Sequence, residues 1–250
     1  MEHQYRELAP PPDLAGYVQS FWTETIGDRP GEPDLLVLPD GCVDVVWRAG
    51  SPPVVVGPAI QAIVPQLPPG STLVGVRFHS GMAPLVLDAP ASELLNAEAP
   101  LVDLWGRTSA PPRLAGRFDD SAAPEDGFAG LAALVRGRLA GGAEGDRLVV
   151  AAARWLTEHP AERLDALHDR TELGERQLRR RFEAAIGYGP KTFQRIVRFQ
   201  RWLALTRATT ADERRLTDLA AEAGYADQSH LTRDATRLAG RPPAALLATL

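Results

Sequence analysis

From Arg147 to the C-terminus, apolar residues recur at the three-and-four spacing of a helix that buries one side. Leu148, Ala152, Trp155 and Leu156 fall on one face of a segment over 147–158. Asp146 is placed to cap its start and His159-Pro160 to end it. Leu178 and Phe182, four apart, mark a helix over about 175–185, and Leu231 marks another over about 227–238. Between them Phe193, Ile196, Val197 and Leu203 run through a longer helix from Pro190 to about Arg207, interleaved with Arg195, Arg198 and Arg201. At ~1.5 Å per residue that helix spans about 25 Å. Shorter helical patterns at Leu164–Asp169 and Leu216–Ala223 precede the two marked helices, each across a brief turn.

The first eighty residues follow another rhythm. Tyr17–Ile26, Leu35–Leu38, Val43–Trp47, Val54–Val56, Ala62–Val64 and Leu73–Phe78 are short apolar, β-branched or aromatic runs. Turn signals such as Pro39-Asp40-Gly41 and Pro68-Pro69-Gly70 separate them, so they read as strands. From Gly81 the pattern turns helical at Met82–Leu87, Ala91–Asn96, Leu101–Trp105 and Phe128–Leu139, with a loop over Ser109–Asp126. The glycine-rich stretch over 141–145 marks a boundary. The predicted fold class is α+β. A β-rich small barrel or sandwich with short helices fills 1–145, and an all-α domain of two helix-turn-helix units joined by a long linker helix fills 146–250.

A repeat supports that division. Leu178, Arg180, Phe182, Gly187, Pro190 and Phe193 recur 53 residues later as Leu231, Arg233, Ala235, Gly240, Pro243 and Leu246. A fixed offset marks one structural unit used twice. Charge divides the chain at the same place. Residues 1–145 carry 9 basic and 18 acidic groups, and residues 146–250 carry 18 and 14, so −9 and +4 make the net −5. Of the 22 prolines, 18 precede residue 145. A weakly basic unit beside an acidic one suits a DNA module joined to a part that leaves DNA alone.

Composition closes several other routes. The single cysteine, Cys42, excludes an internal disulfide and a multi-cysteine zinc site. His3 and His79 are too few for a metal-binding barrel, and no phosphate loop or nucleophile motif occurs. The expectation is therefore a protein that is not an enzyme and needs no cofactor. No run reaches the ~18–20 apolar residues of a membrane span. The first residues lack the basic start and apolar centre of a signal peptide, which points to the cytoplasm, with nucleoid association when DNA is bound.

The chemistry lies on the two marked helices. On the first, Leu178 and Phe182 face inward and leave Arg176, Gln177, Arg179 and Arg180 outside near its N-terminus. That end of a recognition helix reaches base edges in the major groove. Arg matches the paired acceptors of guanine, and Gln the donor and acceptor of adenine. On the second helix Gln228, Ser229, Thr232 and Arg233 stand outward beside Leu231. Residues 147–250 resemble the DNA-binding domain of the AraC/XylS family of bacterial transcription regulators, through GERQLRRRFEAAIGYGPKTFQRIVRFQR, LAAEAGYADQSHLTRD and the closing LAGRPPAAL. The resemblance implies seven helices and two units in adjacent major-groove segments. It places Arg176, Arg179 and Arg180 of the first unit, and Gln228, Ser229, Thr232 and Arg233 of the second, on bases. The chain departs from the family pattern at Gly174, where a capping Ser is usual, at His168 in place of a small Ala, and at Ala235 in place of a larger core residue.

Residues 1–108 resemble an uncharacterised N-terminal domain of some AraC-type regulators, through LPDGCVDVVW, VVVGPAIQA and VGVRFHSG. The resemblance implies an effector pocket, a dimerisation surface, or both. Candidate effector contacts are Trp22 and Trp47 on separate strands, Cys42 behind the Pro39-Asp40-Gly41 turn, and Arg77 and His79 flanking Phe78. Arg77 and His79 suit either an anionic effector or an acidic neighbour; the tryptophans and Cys42 suit either a pocket or the core. The expected function is sequence-specific transcription regulation under small-molecule control. The alternatives give the N-terminal domain a small enzyme or a ligand-free dimerisation role. Expected partners are a double-stranded DNA operator, an effector, a second copy of the chain and, for an activator, RNA polymerase.

Overall fold

Among the described residues the N-terminal part forms six strands: β1 (Gln4–Leu8), β2 (Val18–Thr25), β3 (Asp44–Arg48), β4 (Val54–Val56), β5 (Thr72–Phe78) and β6 (Glu98–Pro100). The computed structural model describes residues 3–27, 35–105, 124–142, 144–209 and 216–248. The strands form one sheet in the order β1-β2-β5-β3-β4-β6, and every pair is antiparallel. The expected barrel or sandwich is therefore an open sheet with β1 and β6 at its edges. A helix takes the place of a second sheet. Phe21, Val45, Trp47, Val74, Val76 and Phe78 turn to one face, which α3 (Pro124–Leu139) covers together with α1 (Ala83–Leu87) and α2 (Leu101–Trp105). Gly127 of α3 lets the helix lie on Trp47, since a Cβ there would come within 2.6 Å of the indole.

Alternation along the strands sends Trp22, Glu24, Asp44, Val46, Leu73 and Arg77 to the opposite face. The two edge strands are the ones the apolar pattern did not reveal. β1 is almost wholly exposed, and β6 has three residues and ends in proline, which an edge tolerates. The runs Leu35–Leu38 and Ala62–Val64 make only a single bridge, Val37 to Ile63. The expected loop over Ser109–Asp126 lies outside the described residues up to position 123, and α3 begins at Pro124.

Seven helices follow among the described residues: α4 (Arg147–Glu158), α5 (Asp165–Thr171), α6 (Glu175–Ile186), α7 (Pro190–Ala208), α8 (Leu216–Glu222), α9 (Gln228–Ala239) and α10 (Pro243–Leu247). They share one core. α4 is turned slightly from the expected face. Val149, Ala152, Ala153 and Leu156 are buried, while Leu148 remains exposed. Its cap is as expected, because the Asp146 side chain accepts from the Val149 N–H at 3.2 Å. The same carboxylate holds Arg181 of α6 through two bonds of 2.6 Å, which fixes α4 against the first unit.

The repeat is visible atom by atom. Leu178 and Leu231 are both fully buried, as are Phe182 and Ala235. Gly187 (φ 102°) and Gly240 (φ 68°) each close a helix in the left-handed conformation that favours glycine. Pro190 and Pro243 each start the next one.

The sheet and the helical part are seated on each other. Leu36, Leu38, Ile60 and Leu95 pack against the helical core. Gln200 of α7 donates to the Pro39 carbonyl at 2.6 Å, and the Ala62 N–H donates to the Leu238 carbonyl in the last turn of α9 at 2.6 Å. Pro58 and Ala91 stand against Gly187 at the end of α6. The N-terminal part thus grips the C-terminal ends of both α6 and α9 and leaves their N-terminal halves open.

Candidate nucleic-acid interface

Each unit pairs a short helix with a longer one across a tight turn. In the first, Glu172 in the left-handed region (φ 54°) reverses the chain between α5 and α6. In the second, Gly224 (φ 92°) does so between α8 and α9, and the Asp227 side chain caps α9 by accepting from the His230 N–H at 2.7 Å. α6 starts at Gly174 with no side-chain cap. His168, the other departure in this unit, is half-buried with Nδ1 at 3.3 Å from the Leu173 carbonyl in the turn.

Leu178, Phe182 and Ile186 anchor α6 in the core, with Phe182 edge-on to Phe193 at 5.9 Å. Arg176, Gln177, Arg179 and Arg180 are exposed on its open half. Arg179 is drawn toward Glu183, four residues on, at 2.8 Å; water screens an exposed pair of this kind, and it yields readily to a phosphate. On α9 Gln228, Ser229 and Arg233 are exposed and Thr232 is half-buried. Thr232 Oγ1 donates to the Gln228 carbonyl at 2.9 Å, and Arg233 Nε to the Ser229 carbonyl at 3.3 Å. The structure thus sets the eight candidate residues in two groups, one at the open end of each second helix.

α7 holds these ends apart. Its 19 residues span about 28 Å, and Phe193, Ile196, Phe199, Trp202 and Leu203 bury it along its length. Gln194 donates to the carbonyls of Pro160 and Glu162 at 3.0 and 2.6 Å, fixing the helix to the chain before α5. Arg195 meets the buried Asp234 of α9 at 2.9 Å, fixing the second unit in turn.

The five N-terminal candidates separate. Trp22, Cys42 and Arg77 meet around Asp44, a residue whose role the sequence reading passed over. Trp22 lies across Gly75, where a Cβ would come within 2.1 Å of its ring, and donates Nε1 to Asp44 Oδ2 at 3.1 Å. Arg77 donates to both Asp44 oxygens at 3.1 and 2.9 Å and also meets Asp40 at 3.2 Å and Glu7 at 3.7 Å. Of its two expected uses, the acidic neighbour is the one the structure shows. Burial, aided by the negative charge of Asp40, outweighs Arg77 and pushes the Asp44 carboxyl up to about 6. Cys42 is buried with Sγ at 3.5 Å from Gln19 Oε1, and burial raises its thiol well above the ordinary value. Trp47 points to the other face, into the core beneath α3. His79 is exposed, with Nε2 at 3.2 Å from the Ala15 carbonyl. A carboxylate set inside the apolar run Val43–Trp47 was the available signal for this cluster; its partners depended on strand register.

Among the described residues no group of three or more His, Cys, Asp or Glu gathers to hold a metal ion, and no helix is long and apolar enough to cross a membrane.

Residues 167–249 match the family model of a helix-turn-helix domain, and residues 6–100 that of a domain of unknown function (DUF6597). No curated protein matches the chain by sequence. Among solved structures, the 1.65 Å structure of ToxT from Vibrio cholerae is similar at a TM-score of 0.53 and 10% identity, covering 93% of this chain and 99% of that one. An apo point variant of ToxT from Vibrio cholerae gives 0.49 at 10% identity over 92% and 97%. Unsaturated fatty acid bound ToxT from the same organism gives 0.48 at 9% identity over 91% of each chain. At 10% identity the first of these likenesses speaks for the fold alone. The chain is a helix-turn-helix DNA-binding regulator of transcription. It carries an AraC-type DNA-binding domain at its C-terminus, joined to an N-terminal domain of unknown function.

Proposed function

We propose that this regulator binds a specific operator by laying α6 and α9 in successive major-groove segments, and that its N-terminal domain sets how well it does so. The observation that carries the reading is the pairing of two open helix ends by one buried, rigid helix. Arg176, Gln177, Arg179 and Arg180 would meet one segment, and Gln228, Ser229, Thr232 and Arg233 the next. A protein acting on DNA in this way would work in the cytoplasm, associated with the nucleoid when bound.

Control by a small-molecule effector is part of the proposal, and the Pro39–Cys42 turn is its natural route. Asp40 bonds Arg77 on one side and the Cys42 N–H on the other, at 3.2 and 2.9 Å. Gly41 stands against Phe193 and the Tyr188 hydroxyl, and Pro39 receives Gln200. An effector that rearranged the Arg77 cluster would move this turn and, with it, the start of α7. Self-association and, for an activator, contact with RNA polymerase would use surfaces away from the two open helix ends.

The test is Arg180→Ala in a fluorescence anisotropy titration at fixed salt. Operator affinity should fall by ~1–3 kcal/mol, with a smaller loss on random DNA. Equal losses on both would reduce Arg180 to a phosphate contact, and no loss would remove it from the interface.

A further inference from the structure

The 53-residue offset allows the two open helix ends to be compared position by position. Opposite the buried stripe of α6 stand Arg176 and Arg180, four residues and about 40° apart around the helix. Both are exposed, and among the described residues neither guanidinium meets a carboxylate. Of their neighbours, Arg181 is held by Asp146 at 2.6 Å, and Arg179, beside Glu183 at 2.8 Å, stands about 100° round the helix from Arg180, where a phosphate can take it. On α9 the same two places hold Ser229 and Arg233. Arg233 lies back along its own helix toward the Ser229 carbonyl. At these two places the first unit therefore presents two guanidinium groups and the second presents one.

We infer that the operator is asymmetric in its guanines. The element under α6 carries two, read by Arg176 and Arg180, and the element under α9 carries one, read by Arg233 in the register of Arg180. Four helical residues advance about 6 Å along the axis, close to two base-pair steps of ~3.4 Å, so the paired guanines lie about two base pairs apart. Each guanidinium would donate to O6 and N7 of its base. A serine in the place of the second arginine cannot make that fork, so the second element tolerates substitution at the matching base pair. The inference rests on the proposal that α6 and α9 both enter the major groove.

The experiment selects binding sites of the full-length protein from random duplexes. Each guanine of the recovered site is then replaced in turn by 7-deazaguanine, which keeps the base pair but lacks the N7 acceptor. Anisotropy titrations should show three sensitive guanines, each costing roughly five- to a hundredfold in affinity. Two should lie about two base pairs apart. The third should lie about one helical turn from the guanine read by Arg180. Arg176→Ala should abolish sensitivity at one of the close pair and leave the other two intact. Its affinity for random DNA reports that the fold is unchanged. Two elements with equal guanine content would overturn the inference, as would an Arg176→Ala variant that weakens every sequence alike and keeps all three sensitivities. If selection enriches no sequence at all, the reading of α6 and α9 as base-contacting helices fails, and this inference with it.

Discussion

Gly187 and Gly240 occupy the same place in the two units, but only one of them touches the N-terminal domain. Among the described residues a side chain at Gly240 would meet nothing within 4 Å. Gly240→Ala should therefore cost only the left-handed backbone strain of a non-glycine residue, roughly 1–2 kcal/mol. At Gly187 a Cβ would come within 2.4 Å of Pro58 Cγ and 3.2 Å of the Ala91 carbonyl oxygen. Relief of the first contact needs about 1 Å of movement in a packed interface, which adds about 1–3 kcal/mol of overpacking to the backbone strain. Gly187→Ala should then destabilise by about 2–5 kcal/mol in all. Gly187 also lies further into the positive-φ region, at 102° against 68°, so the bare difference mixes strain with contact. Pro58→Ala separates them, since it removes the offending Cγ and leaves the backbone at 187 unchanged. Urea unfolding followed by tryptophan fluorescence on these single variants and the double variant should show Gly187→Ala/Pro58→Ala recovering about 1–2 kcal/mol relative to the sum of its singles. Additivity within about 0.5 kcal/mol would mean that the two residues are not in contact and that the seating of the domains through the end of α6 is wrong.

Three further outcomes are expected. Inserting about five base pairs between the operator elements turns one to the far side of the duplex and should collapse affinity, as an electrophoretic shift would show; tolerance of the insertion would mean that only one unit reads bases. Asp44 titrates near 6 when folded against an ordinary value of 3.8, so the folded state holds the proton more tightly. Its contribution is therefore full below about 4 and is lost as pH rises through about 6, and Asp44→Asn should flatten the stability profile across that window; an unchanged slope would remove Asp44 as its source. An effector bound only by the folded protein should stabilise it by ~2.7 kcal/mol at a hundredfold excess over its dissociation constant, and Arg77→Gln should remove that thermal shift if the Arg77 cluster forms the site. A screen of metabolites and antimicrobials that shifts melting with no compound would end the effector proposal.

The sequence alone determined the helical half of this protein. The period of Leu178, Phe182, Leu231 and their neighbours, the glycines at 187 and 240 and the prolines at 190 and 243 are local signals. Each acts within a turn or two of helix, so each can be read without knowing what lies across the core. The exposure of Arg176 and Arg180 follows from the same period, because the position of Leu178 dictates which side chains turn outward. The strands offered less. Tyr17–Ile26, Val43–Trp47 and Leu73–Phe78 announced themselves by composition, but β1 and β6 sit at edges where no second apolar face is demanded. Whether the sheet closed or stayed open depended on α3, whose packing on Trp47 through Gly127 joins residues eighty apart in the chain. Register decided the rest. It set Ser20 and Asp44 on either side of Arg77, sent Trp22 to the polar face and Trp47 to the core, and brought the Asp40 turn against Tyr188 and Phe193. Such pairings are fixed by where distant backbones meet and not by the residues beside them, so only the tertiary structure could bring them together.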